Sequence, residues 1–342
     1  MKRIILCAAL AAAVFSSCKM ENPLLTESPL EYGAPQFDKI KNEHYLPAFK
    51  QAIKEAKDGI DAIVANPDEP TFENTIEAME FGGENLERVA SIFYNLMEAD
   101  TNDEMQAIAE EVAPMMTEFS MYVSLNEKLF ERVKAVYEAR EGLNLEPDQL
   151  RLLEKRYKEF ARGGANLSAE DKVTYSKLSE ELSLLQLSFS KNVLAATNAF
   201  TMELTDEAEL EGLPDFVRAI GKQAADDKGK EGWIFDLSYP SYGPFMKYST
   251  RRDLREKMYM AYNSKANGDE FDNTQIVRDI AEHRIKIANI LGYPTWADYE
   301  LEERMVKTPA EVDAFLKELR DPSLPAARKE VEEIFKYAKA ND

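Results

Sequence analysis

Histidine and cysteine are nearly missing from this 342-residue sequence: His44, His283, Cys7 and Cys18 are all it has. Several chemistries fall with that shortage. A catalytic zinc site needs ligands with an open position, most recognisably His-Glu-x-x-His on one helical face, and that motif does not occur. Gly-x-Ser-x-Gly is missing too, so a serine triad has no sharp turn to present its nucleophile. There is no phosphate loop and no dinucleotide fingerprint. Positive charge is in short supply, with 42 Lys and Arg against 63 Asp and Glu and a net charge of −21. Such a surface repels nucleic acid, which is not expected as a partner. Carboxylates are dispersed everywhere, so no pair stands out as a glycosidase site. Glycine is scarce, at 14 residues, while Leu, Ala, Glu and Lys abound. That balance favours helix.

The longest apolar run is at the N-terminus. "MKRIILCAALAAAVFSSC" has a basic start at Lys2 and Arg3, an apolar stretch from Ile4 to Phe15, then Ser16 and Ser17 before Cys18. The run is too short to span a bilayer and fits a secretory signal over 1–17. A cysteine straight after small residues matches a bacterial lipoprotein cleavage site, with Phe15 standing where leucine is usual. Cys18 is therefore the expected lipidation site, and the protein is expected in the cell envelope, lipid-anchored or periplasmic. Cys7 lies inside the signal, so the mature chain has no internal disulfide and no free thiol. Residues 18–30 read as a polar tether.

Helical periodicity runs through nearly all of the rest. Leu46, Phe49, Ile53, Ala56, Ile60 and Ile63 recur at steps of three and four and share one face. Asn66-Pro67 stops that helix, and "PTFENTIEAMEF" starts another. "TNDE" at Thr101–Glu104 reads as a capping box, and Pro114 is expected to kink or divide the helix that follows. Leu129, Val133, Val136 and Leu143 mark a further face. Pro147 opens a helix that Gly163-Gly164 ends, and a long helix spans about 168–199. "FTMELTD" and "GWIFDLSYP" alternate and are β-rich, predicting two short strands around a small helix at 214–225. Helices resume after "SYPSYGPFMKYS", at about 250–264, 273–291, 295–304 and from 308 to the end, the last opened by "TPAE". The expected class is mainly α, a multi-helix lobe with a two-strand element near 200–238.

Few residues invite a chemical reading. His283 lies beside Glu282 and upstream of Glu300, Glu302 and Glu303. These carboxylates are expected to face solvent or to pair with Arg304 and lysines. "NGDEFDNTQ" at 267–275 has acids without the spacing of a calcium loop. "YPSYGPFMKY" offers an aromatic surface, with packing the simpler role. His44 is expected to cap a helix or lie on the surface.

Seven stretches stand in order along the chain: "YGAPQFDKIKNEHYLPAF", "NPDEPTFENTIEAME", "TNDEMQAIAEEVAP", "GGANLSAEDK", "EELSLLQLSFSKNVLAATNAF", "RRDLREKMYMAYNSKANG" and "LGYPTWADYELEERMVKTPAEVDAFL". Together they resemble the thimet oligopeptidase family of zinc metallopeptidases, with wording closest to the bacterial peptidyl-dipeptidase branch. The resemblance implies an almost wholly helical protein whose two lobes flank a channel for short, unstructured peptides. It implies zinc held by His-Glu-x-x-His and a downstream glutamate, the motif glutamate acting as general base, and release of C-terminal dipeptides. The stretches match the family's N-terminal half. The implied division is 31–238 as an N-terminal helical domain and 239–342 as the start of a catalytic domain. The zinc motif is then expected beyond Asp342, leaving no catalytic or metal residue in this chain, no bound zinc and no activity by itself. The other expectation is a stand-alone helical lipoprotein that binds peptides or a protein partner without catalysis.

Overall fold

A computed structural model describes residues 22–341. The signal and Cys18 lie outside the described residues. The chain divides into two compact units, 1–166 and 167–342.

The first unit is built around helix α1, Asn42–Ala65, a 24-residue helix that buries Tyr45, Ala48, Phe49, Ala52, Ile53, Ala56, Ile60 and Ile63. The face predicted from periodicity is the face that packs. It meets α3, Glu84–Ala99, and α4, Asp103–Ser124. Phe93 of α3 lies edge-on to Tyr45 and Phe49, with ring centroids 5.0 and 5.4 Å away. A second layer forms from α5, Glu127–Ala139, and α6, Pro147–Arg162. Leu129, Val133, Leu153 and Phe160 pack there against Ile60, Phe72 and Ile76.

Three local expectations are corrected in this unit, two at helix starts and one at the tether. "PTFENTIEAMEF" does not open as an α-helix: Phe72–Glu77 form a π-helical turn before the short α2, Ala78–Phe81. Thr71 and Asn74 exchange hydrogen bonds at its start, and Thr75 is fully buried. Helix α4 starts one residue later than "TNDE" suggests. Asn102 is its cap, accepting from Met105 N, while the Thr101 hydroxyl turns to Met97 Sδ. Pro114 sits inside α4 without dividing it. The expected tether is also docked over its described part. The Asn22 amide donates to His44 O, Leu24 is fully buried, and Arg88 donates to Leu24 O. Burying one leucine is worth about 2 kcal/mol, enough to hold such a segment down.

The second unit pairs α7, Ala169–Ala199, with α11, Thr274–Ile290. Beside them strands β1, Met202–Leu204, and β2, Trp233–Phe235, run antiparallel with Met202 opposite Phe235 and Leu204 opposite Trp233. Both strands and the helix between them, α8 (Asp215–Asp227), stand where the sequence placed them. Helix α8 rests on β2 at Gly221: a Cβ there would lie 2.7 Å from the Phe235 ring, so only glycine admits this approach. "YPSYGPFMKY" is itself a helix, α9, Tyr239–Tyr248, with Pro240 in its first turn, where proline costs no hydrogen bond. It buries Phe245 with Met202, Leu204, Val217 and Phe235, and packs on α10, Arg252–Ser264. After α11 come α12, Trp296–Leu301, and α13, Pro309–Asn341. Thr308 caps α13 as expected, its hydroxyl accepting from Glu311 N at 3.3 Å. None of the 33 residues of α13 is buried. Among the described residues no helix is long and apolar enough to cross a membrane.

Candidate functional site

His283 is placed by the contact between α7 and α11. Its imidazole is 16 % exposed, with Nδ1 2.7 Å from Asp279 O and Nε2 3.0 Å from Glu181 Oε2. The hydrogen bond to His283 holds the Glu181 carboxyl below the usual carboxylate range, and Lys177 adds to the effect. Both ring nitrogens are engaged, one by backbone and one by a carboxylate, so neither is offered to a metal. The downstream carboxylates do not gather round it. Glu300 pairs with Arg304 at 3.1 Å, as the sequence suggested. The Glu302 carboxylate instead takes the Tyr293 hydroxyl. Periodicity identified His283 as a helical residue, but Glu181 lies 102 positions away and no sequence signal connects the two.

His44 is a cap, as expected: its Nδ1 accepts from Lys41 N at the start of α1. Among the described residues no group of three or more His, Cys, Asp or Glu could hold a metal ion. The acidic segment at 267–275 turns its carboxylates onto its own backbone. Asp269 accepts from Ala266 N and Phe271 N, and Asp272 from Gly268 N and from the amide and hydroxyl of Thr274. Those donors, the Thr274 hydroxyl first, hold Asp272 below its ordinary range. These bonds tie both carboxylates to the turn, in which Ala266 has a left-handed φ of 54°. Asn273 anchors the segment: 3 % exposed, it donates to Phe189 O and accepts from the Asn192 amide. Sequence reasoning passed over this residue: it stands at the N-cap position of α11 without a side-chain cap bond, and its partners lie 81 and 84 positions away.

Two of the clefts among the described residues have largely apolar walls. One of about 520 Å³ in the second unit is lined by Ala196, Phe200, Leu237, Ala261, Lys265 and Phe271. Another of about 370 Å³ in the first unit has walls of Met79, Met116, Phe119, Val123 and Phe160, with Arg156 bridging Glu80 and Glu159 at its edge. In α9 Tyr242 stacks on Tyr262 at 4.1 Å, with Lys265 over the other ring. The tyrosines mainly pack, although Tyr239 is 79 % exposed. None of these places among the described residues sets a nucleophile beside a base.

Comparison with known proteins agrees with a helical scaffold of this kind. The family described as Neurolysin/Thimet oligopeptidase, N-terminal domain, matches residues 49–172, and Peptidase family M3 matches 245–342. The chain is 35% identical over 309 residues to the dipeptidyl carboxypeptidase of Escherichia coli (strain K12), covering 90% of this chain and 45% of that one. It is 31% identical over 326 residues to oligopeptidase A of the same organism, covering 94% and 47%. A thimet-like oligopeptidase of Dictyostelium discoideum is 26% identical over 299 residues, covering 85% and 43%. The chain spans about half the length of the curated relatives it matches. Its helical architecture, both family matches and the relatives that run along most of its length make it a member of the thimet oligopeptidase family, peptidase family M3.

Proposed function

We propose that this chain forms part of a zinc-dependent metallopeptidase that hydrolyses short, unstructured peptides and releases C-terminal dipeptides. The observation that carries the reading is the similarity to a dipeptidyl carboxypeptidase along 90% of the chain. Identity to that relative, at 35%, exceeds the 31% to an oligopeptidase A, which favours dipeptide release over internal cleavage. Residues 31–238 supply the helical lobe and 239–342 the beginning of the catalytic region. The family matches at 49–172 and 245–342 fall on either side of that boundary.

The zinc is not held by these residues. His283 has both nitrogens engaged, His44 caps a helix, and His-Glu-x-x-His does not occur in the sequence. The donor set does not fit a catalytic zinc, and no hydrolytic step is assigned to this chain's side chains. Its contribution is scaffold and surface. The uncovered apolar stripe of α13 supports that role, because such a stripe is stable beside a partner surface. Export with a lipid at Cys18 belongs to the same proposal and rests on the order basic, apolar, small, cysteine at the N-terminus.

The test is direct. Purified with zinc, the 342-residue chain is expected to hold no stoichiometric metal and to release no dipeptide from a blocked tetrapeptide. Fused to a family segment carrying His-Glu-x-x-His, it is expected to gain both. One tightly bound zinc in the chain alone, with dipeptide release that a chelator stops, overturns the assignment. Metabolic labelling with palmitate, lost on Cys18→Ala, checks the anchor; no label on the parent chain contradicts it.

A further inference from the structure

We propose that the cleft between α7 and α11 binds a small apolar molecule that ends in one carboxylate, with Arg284 as its anchor. The cleft, of about 440 Å³, is lined from these two helices of the second unit. On α7, Phe189 and Ser190 stand three and four residues after Gln186; on α11, Val277, Ile280 and Arg284 follow at steps of three and four. Each set therefore shares one helix face. Phe189 and Val277 leave apolar surface exposed there. The walls are fixed relative to each other, because the buried Asn273 amide at the start of α11 donates to Phe189 O on α7. The volume is at the small end of ligand sites, which run from roughly 300 to 1,000 Å³.

Arg284 is the only charged residue in that lining. Its side chain is half-buried, and Nε is covered without a hydrogen-bond partner. The guanidinium carbon lies 5.6 Å from the centroid of the Trp296 ring. The carboxylates around it are engaged elsewhere. Glu181 meets His283 at 3.0 Å, Glu282 meets Lys286 at 3.6 Å, and Glu300 meets Arg304 at 3.1 Å. The Asp279 carboxylate takes the Gln275 amide. Acids outnumber bases in this chain by 63 to 42, yet among the described residues none pairs with Arg284.

One positive charge and no negative one match a monoanion. The terminal N–H groups of a guanidinium form a planar fork that meets both oxygens of a carboxylate by parallel bonds. The Trp296 ring lies over that fork and limits its rotation. A phosphate monoester would bring up to about two charges to a single cation. A neutral apolar molecule would strip water from the guanidinium without replacing it, which opposes binding. Gln186 and Ser190 add an amide and a hydroxyl for one further polar group on the ligand. The class that fits is an N-acylated apolar amino acid: one carboxylate, one amide and one apolar side chain. The site is independent of the peptidase reading, since no hydrolytic step is placed in it.

Titration of the full 342-residue chain, followed by backbone amide NMR, tests the site. N-acetylphenylalanine is expected to shift the amides of Phe189, Val277 and Arg284 with half-saturation in the millimolar range. Its uncharged counterpart, N-acetylphenylalaninamide, is expected to bind about tenfold more weakly. Arg284→Met is expected to abolish the preference for the acid, and Arg284→Lys to keep part of it. Lys286→Met, which removes a cation paired with Glu282 on the same helix, is expected to leave it unchanged. Equal affinity for acid and amide, or no shift in the millimolar range, overturns the proposal, and that comparison is made on the unaltered chain. Tighter binding of a tetrapeptide that ends in phenylalanine gives the cleft to a peptide end and overturns the small-acid assignment.

Discussion

Helices α1 and α13 look alike in sequence and differ in everything that follows. Each is long, at 24 and 33 residues, and each carries an apolar face at helical spacing. In α1 that face is sealed, with Ala48 and Phe49 fully buried. In α13 it is bare: Phe315, Leu316, Leu319, Val331, Ile334, Phe335 and Tyr337 are all more than half exposed. Periodicity tells which face of a helix favours burial. It does not tell whether a surface is present to bury it. The difference separates a helix whose apolar face is packed from one whose apolar face stays exposed.

The comparison can be broken by truncating one aromatic on each side. Phe49→Ala removes a ring locked between Phe93 and Tyr94 and is expected to destabilise the first unit by about 3–5 kcal/mol, read from denaturant unfolding. Phe335→Ala in α13 is expected to stay within about 0.5 kcal/mol. A large loss at Phe335 would mean that the face is covered in solution. Arg132 is the next test. It is 9 % exposed and donates to Asn66 O, Asp68 O and Asn74 Oδ1, fastening the segment that joins α1 to the π-helical turn. Arg132→Met removes the guanidinium's bonds to Asn66 O and Asp68 O and one of the donors to Asn74 Oδ1, at an expected cost of about 2–3 kcal/mol. The smallest effect separates the two candidate caps of α4. Asn102→Ala is expected to cost about 1 kcal/mol and Thr101→Ala clearly less; the reverse order would restore the sequence-based cap.

Much of the fold was legible because it is local. The α1 face, Pro147 opening α6, Gly163 closing it, the strand pair and the Thr308 cap each rest on residues close in sequence. The misses share another cause. "YPSYGPFMKY" becomes a helix because Phe245 has a strand core to enter. Leu24 docks because distant Arg88 and His44 meet its segment. Such outcomes depend on neighbours far along the chain. Of the candidate site little was legible. The scarcity of histidine carried only an expectation about metal, whereas the His283 to Glu181 contact needed the fold.

Hydrogen exchange resolved by helix tests the contrast most directly. Amides of α1 are expected to exchange only through unfolding of their unit, and those of α13 beyond its first turns to exchange by local opening, orders of magnitude faster. Adding the family segment that carries His-Glu-x-x-His is expected to slow α13 and leave α1 unchanged. Protection of α13 equal to that of α1 in the 342-residue chain alone would contradict the account, because the apolar stripe would then already have its partner.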